Sequence, residues 1–268
     1  MDPLDPSLSS AQRKLNRAIE HIHTLSEETH TFEHSDAYIP RVERNFRSSQ
    51  EVEHVVYAVE KKTLPFYWDL LAGEAIQNLR AALDHAVFAH TNSRSSQFPI
   101  FTDPCEFQVK GKPRIKGVPK PIRTLIEEAQ PYKHFAPRPS RDALALLSSL
   151  SNADKHRTLT ALASVVRFPF LSYTDDRLEY EWTKPPALGQ MLYDGAEVIR
   201  FVVRAKTTDI EMNVNPSFTF QVGITGRPDL PLMPLDDNLR AIARRVFEVV
   251  TEVETGQPMP LIAQYPIA

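Results

Sequence analysis

The side chains best suited to chemistry lie in two short segments. The first, Gly73 to His90, sets Glu74, Asn78, Arg80, Asp84 and His85 into an otherwise apolar helical stretch. The second, Asn152-Ala153-Asp154-Lys155-His156-Arg157, lies in another helical stretch. A carboxylate, an arginine and two histidines gathered between two helices would form a polar pocket with pKa values perturbed enough for acid–base work. Arg80, His85, Asp154 and His156 are the candidate catalytic groups. Asn78, Asp84, Asn152, Lys155 and Arg157 are candidates for holding a substrate.

Projected at about 100° per residue, Ala75, Ile76, Leu79, Ala82, Leu83, Ala86 and Val87 share one broad apolar face. Glu74, Asn78 and His85 stack along one edge of the remaining polar arc. Gln77, Arg80 and Asp84 form a neighbouring row, with Arg80 and Asp84 at ion-pair spacing. Arg80 and His85 stand about 140° apart on an ideal helix, so a partner helix or a second subunit must complete any shared site. Alone, this helix also fits a plain surface ion pair beside a helix-edge histidine.

If residues 139 to 166 form one helix capped by Ser140, then Leu144, Leu147, Leu150, Leu159, Leu162 and Val165 share a face, and Asp154 falls in its middle. Either Asp154 is desolvated and paired, with Arg80, Arg157 or Lys155, or the helix breaks at Ser151-Asn152 and restarts with Asn152 as N-cap. In both cases Asn152 and His156 point the same way, about one turn apart.

The elements that must hold these groups read as a helix over about 9–33, a strand over 50–62 and a long central helix from Pro65 to about His90. Residues 92–120 read as an irregular loop whose Phe98-Pro99-Ile100-Phe101 forms an apolar plug or a lid. A short helix at about 119–129 precedes the second candidate segment. From Phe168 to Ile224, alternating stretches suggest four or five antiparallel strands as a meander or half-barrel. A last helix from about Leu235 to Glu254, ended by Gly256, is expected to pack on that sheet. The fold class is therefore α+β: a helical core over 1–167, then an antiparallel sheet and a C-terminal helix over 168–268, continuous with the core.

Composition narrows the function. A net charge of −3 gives no global basic field, so nucleic-acid contact would need a local patch; Lys110 to Lys116 with Lys120 and Arg123 is one, read here as solvated or as phosphate-contacting. The single cysteine, Cys105, excludes a disulfide framework and multi-cysteine zinc sites, and its Pro-flanked loop argues against a nucleophile. His21, His23, His30 and His34 read as a solvated face rather than a metal site. No GxGxxG, Walker, HExxH or GxSxG pattern occurs. No metal and no cofactor is expected, nor a membrane segment; a cytoplasmic location is expected from the lack of any signal-like or spanning apolar run.

Asn78-Leu79-Arg80-Ala81-Ala82-Leu83-Asp84-His85, followed by Asn152-Ala153-Asp154-Lys155-His156-Arg157, resembles a pattern shared by a group of bacterial proteins. Within it, Arg80 and His85 match the Arg-x4-His spacing of the HEPN (higher eukaryotes and prokaryotes nucleotide-binding) superfamily. The resemblance implies a helical, dimeric protein of a bacterial toxin–antitoxin or phage-defence system that binds nucleotides or cleaves RNA without metal. It also implies an antitoxin or defence-system partner. In cleavage, His85 would move a proton and Arg80 would stabilise the phosphorane. The chain departs from the pattern at Ala81, where a polar residue often follows the arginine, and in its sheet region. The other reading is a non-enzymatic ligand- or partner-binding protein whose polar cluster ties helices together.

Overall fold

The computed structural model describes residues 7–156, 161–172, 177–184, 188, 190–207, 214–225 and 233–259. Helix α1 (Ser10–Glu33) starts at a capping box in which Ser9 and Gln12 satisfy each other's free backbone donors. Leu15, Ala18, Ile22, Leu25 and Phe32 form its buried stripe. Strands β1 (Tyr38–Ser48) and β2 (Glu51–Glu60) make an antiparallel hairpin. β1, with Pro40 and mostly exposed side chains, takes an edge position, where a missing backbone donor is tolerated. Only the β-branched second strand of this hairpin is visible in the sequence pattern.

Helix α2 (Tyr67–Thr91) is the central element. Phe66 is its N-cap, so Pro65 precedes the helix rather than occupying its first turn. Every residue of the expected apolar face is at most 1 % exposed. The stretch expected to be an irregular loop is partly helical: α3 (Pro104–Glu106), a π-turn at Phe107–Gly111 and a 3₁₀ turn at Lys112–Ile115. Gly111 is required there, because a Cβ would lie 2.7 Å from the Phe107 ring and 3.1 Å from Phe101. Helices α4 (Lys120–Glu128) and α5 (Pro131–His134) and a 3₁₀ turn at Pro139–Arg141 lead to α6 (Ala143–His156).

Two expectations about α6 fail. Ser140 is not its cap; the carboxylate of Asp142 accepts the Leu144 N–H at 2.8 Å and fills that role. Nor does one helix run to 166. Helix α6 passes unbroken through Ser151-Asn152, so Asn152 is not an N-cap, and by Ala161 the chain is already strand β3 (Ala161–Ser172). Leu162 and Val165 therefore lie on a strand, and Leu159 lies outside the described residues.

Strands β4 (Leu178–Lys184), β5 (Glu197–Ala205), β6 (Asn215–Thr225) and β7 (Met233–Pro234) do not continue as a meander. One sheet runs β1-β2-β5-β4 and another β3-β6-β7, so the N-terminal hairpin supplies half of the first. Residues 190–196 join the sheets: Leu192 N–H donates to Ser164 O at 2.7 Å, and Gly195 N–H to Ala58 O at 2.8 Å. Of the expected strands, the Asp209–Asn213 part of one lies outside the described residues.

Helix α7 (Leu235–Thr255) ends at Gly256 with φ +67°. It packs chiefly on α1, α2 and α6 and touches the sheet only at β6 and β7, contrary to expectation. Its buried row, including Leu239, Ile242, Val246, Val249 and Val253, completes a core shared with α2. The Glu254 carboxylate accepts hydrogen bonds from Ser9 and Gln12, tying the end of α7 to the start of α1. The architecture is α+β. Among the described residues no helix is long and apolar enough to cross a membrane.

Candidate functional site

The two polar rows of α2 meet different neighbours. Along the Glu74, Asn78, His85 row, each residue faces α1: Glu74 lies 3.1 Å from His21 Nε2, Asn78 Oδ1 accepts from Lys14 Nζ at 3.3 Å, and His85 Nδ1 lies 2.7 Å from Ser10 Oγ. His21 is thereby buried, 5 % exposed, and is not part of a solvated face. Burial lowers its pKa, with Arg17 adding to the shift and Glu74 opposing it. His30 and His34 are exposed and stack on one another, with His34 Nδ1 on the His30 carbonyl oxygen.

The Gln77, Arg80, Asp84 row faces α6 and the plug. Arg80 Nη2 donates to Asp84 Oδ1 at 2.7 Å and to Phe98 O at 2.6 Å, while Phe98 N–H donates to Asp84 Oδ1 at 2.9 Å. The ion pair thus holds both polar atoms of one backbone residue. Gln130, fully buried, secures the rest of the segment, with its Nε2 donating to Pro99 O at 2.8 Å and its Oε1 accepting from Phe101 N–H at 3.0 Å. With the Phe98 ring also fully buried, the segment is a fixed plug and not a lid.

Fixing the plug makes a pocket of about 290 Å³ lined by Arg80, Gln97, Ile100, Phe101, Arg114, Ser148, Ser151 and Asn152. Ser148, Ser151 and Asn152 recur at three and four residues on α6 and so share a face. Ser151 Oγ lies 3.4 Å from Gln77 Oε1, which joins α6 to α2 behind the pocket. Arg114 comes from the 3₁₀ turn, its guanidinium 5.4 Å from the Phe101 ring centroid. Among the described residues Arg114 has no carboxylate partner, and Arg80 Nε and Nη1 have no acceptor. Burial lowers the Arg80 pKa and the nearby Arg114 charge lowers it further, against the opposing pull of Asp84. Arg80 stays protonated at neutral pH. The chemistry on offer is anion binding: two guanidinium groups, two side-chain amides and two hydroxyls beside an apolar wall.

His85 does not line this pocket. It opens into a second one of about 400 Å³ with Ser9, Ser10, Ala11, Asp84, Phe88, Ala89, Ser96 and Glu254. Asp84 stands between the two, paired to Arg80 on one side and lining the His85 pocket on the other. Of the sequence candidates, then, Arg80 and Asn152 share a pocket, Asp84 and His85 share another, and Asn78 lines neither. Asp154, Lys155 and His156 belong to the last turn of α6 by backbone alone, and Arg157 lies outside the described residues. Sequence reasoning placed Arg114 only within a basic loop; the signal was the basic stretch itself, but nothing local ties it to Arg80. Among the described residues no group of three or more His, Cys, Asp or Glu is arranged to hold a metal ion. No protein-family model matches this chain, and no curated protein and no solved structure is significantly similar to it.

Proposed function

We propose that the chain binds the phosphate of a nucleotide or of an RNA segment in the Arg80–Arg114 pocket, as a HEPN-like protein of a bacterial defence or toxin system acting as a homodimer. The supporting observation is that two guanidinium groups line one polar pocket and only one of them is neutralised. Two neighbouring positive charges raise each other's energy, and a phosphate placed between them relieves that cost while taking paired N–H donors. Gln97, Ser148 and Asn152 supply further polar contacts, and Phe101 and Ile100 supply a surface for a base or sugar. Titration with adenosine monophosphate and with adenosine tests this reading. The monophosphate should bind, adenosine should bind at least tenfold more weakly, and equal or absent binding of both defeats it.

A second reading, cleavage, has one observation in its favour: Asp84 is common to both pockets, so a ligand crossing that wall would meet Arg80 and His85. Attack by a ribose 2′-hydroxyl on the adjacent phosphorus would give a cyclic phosphate and release a 5′-hydroxyl end. His85 would move the proton and Arg80 would stabilise the pentacoordinate charge, with Asp154 and His156 near the cleft. RNA cleavage by the wild type against His85→Ala decides: equal rates, or no cleavage by either, remove this reading and leave the binding one intact.

A further inference from the structure

No Asp or Glu occurs between Glu106 and Glu127, while that span carries Lys110, Lys112, Arg114, Lys116, Lys120 and Arg123 in a chain of net charge −3. Lys110 is taken up by Glu106 at 2.7 Å; among the described residues Lys112, Lys120 and Arg123 have no carboxylate partner. These last three line a separate pocket of about 260 Å³ with Thr124, the buried Phe107 and Ile115, and with Glu127 as its acid. The 3₁₀ turn Lys112–Ile115 divides it from the Arg80 pocket: Arg114 faces one side, Lys112 and Ile115 the other. Gly111, closed against Phe101 and Phe107, holds the turn onto the core, so the spacing of the two pockets is fixed by packed aromatic rings rather than by a free loop.

We propose that the ligand is a single RNA strand that crosses this turn, with one phosphate at Arg80 and Arg114 and a later one at Lys112, Lys120 and Arg123. The inference rests on the phosphate-binding reading of the first pocket and extends it from a nucleotide to a polynucleotide. A mononucleotide uses only one of the two cationic pockets, whereas a strand presents phosphates at a regular spacing with sugars and bases between them. In both pockets apolar and aromatic side chains lie beside the cations, which suits alternating phosphate and base surface better than it suits a bare polyphosphate.

The test is fluorescence-anisotropy titration of a labelled single-stranded RNA of about twelve nucleotides and of labelled adenosine monophosphate, each over a range of salt. The proteins are wild type, Lys120→Gln/Arg123→Gln and Arg114→Gln. Lys120 and Arg123 are exposed, so the double variant should stay folded, as a thermal melt verifies. It should weaken the RNA about tenfold and flatten the slope of log affinity against log salt by about 1.4, roughly 0.7 for each lost phosphate contact, with the monophosphate unchanged. Arg114→Gln should weaken both ligands. RNA bound by the double variant with wild-type affinity and slope overturns the strand while sparing the phosphate pocket, as does a wild type that binds the monophosphate but no RNA. Failure of both ligands on the wild type overturns the pocket and the strand together.

Discussion

Arg80 and Asp84, one turn apart on α2 and paired at 2.7 Å, close on the carbonyl and the N–H of Phe98 and so connect the central helix to the loop that shapes the pocket. The pair is a structural joint before it is anything else. Its Arg80 member still has donors free for a ligand, whereas the Asp84 oxygen it holds is already committed.

Removing one partner should cost more than the pair is worth. Asp84→Ala leaves the 12 %-exposed Arg80 charge without its counter-ion and the Phe98 N–H without its acceptor, for an expected loss of about 2–4 kcal/mol in urea denaturation. A loss under about 0.5 kcal/mol would mean that the clamp is incidental.

The plug itself should be worth as much. Phe98→Ala empties a fully buried ring site and should cost about 3–5 kcal/mol. Gly111→Ala should also destabilise, by about 1–3 kcal/mol, since the added methyl meets the Phe107 ring. Chemical denaturation of each variant checks both figures, and a Gly111→Ala protein as stable as wild type would refute the fixed turn.

These contacts mark where the sequence was legible. The stripes of α1, α2 and α7 showed because Leu15 and Ile22, Ile76 and Leu83, Leu239 and Val246 repeat at helical spacing toward a common core. Strand β1 was missed because an edge strand with Pro40 and charged side chains lacks the apolar alternation that betrays a strand. The end of α6 was missed because Leu162 and Val165 continue the three-residue spacing of Leu144, Leu147 and Leu150 after the backbone has become extended. The α2 wheel separated its two polar rows correctly, but which row would meet α1 and which the plug depends on packing between distant segments. For the same reason the approach of Arg114 to Arg80 had no sequence signature.

Acid should weaken the first sheet through His54. Its ring is fully buried, neither nitrogen has a hydrogen-bond partner, and it stacks on Phe201 with centroids 5.1 Å apart. Burial lowers its pKa from 6.5, and Arg44, its cross-strand neighbour on β1, lowers it further. The unfolded chain therefore takes up the proton near pH 6.5 while the folded one resists, so stability is complete above that pH and falls below it. His54→Phe should raise the urea midpoint and shrink its drop between about pH 7.5 and 5.5; part of the drop remains, because the lowered pKa of buried His21 acts in the same direction. An undiminished drop in the variant would place the acid sensitivity elsewhere.

Charge reversal inside the pocket should affect binding without affecting the fold. Asn152 is exposed on α6, so Asn152→Asp should leave the melting temperature within about 2 °C yet weaken adenosine monophosphate several-fold by repelling its phosphate. Unchanged binding would remove Asn152 from the site.

The central claim is that Arg80 and Arg114 together hold a phosphate. Calorimetric titration of adenosine monophosphate into wild type and Arg114→Gln tests it most directly, because Arg114 takes no part in the Arg80–Asp84–Phe98 joint and its loss should not disturb the fold. The account predicts measurable binding by the wild type and a drop of at least tenfold in the variant, about 1.4 kcal/mol or more. Equal affinity in the two proteins, or no binding by the wild type, would contradict it.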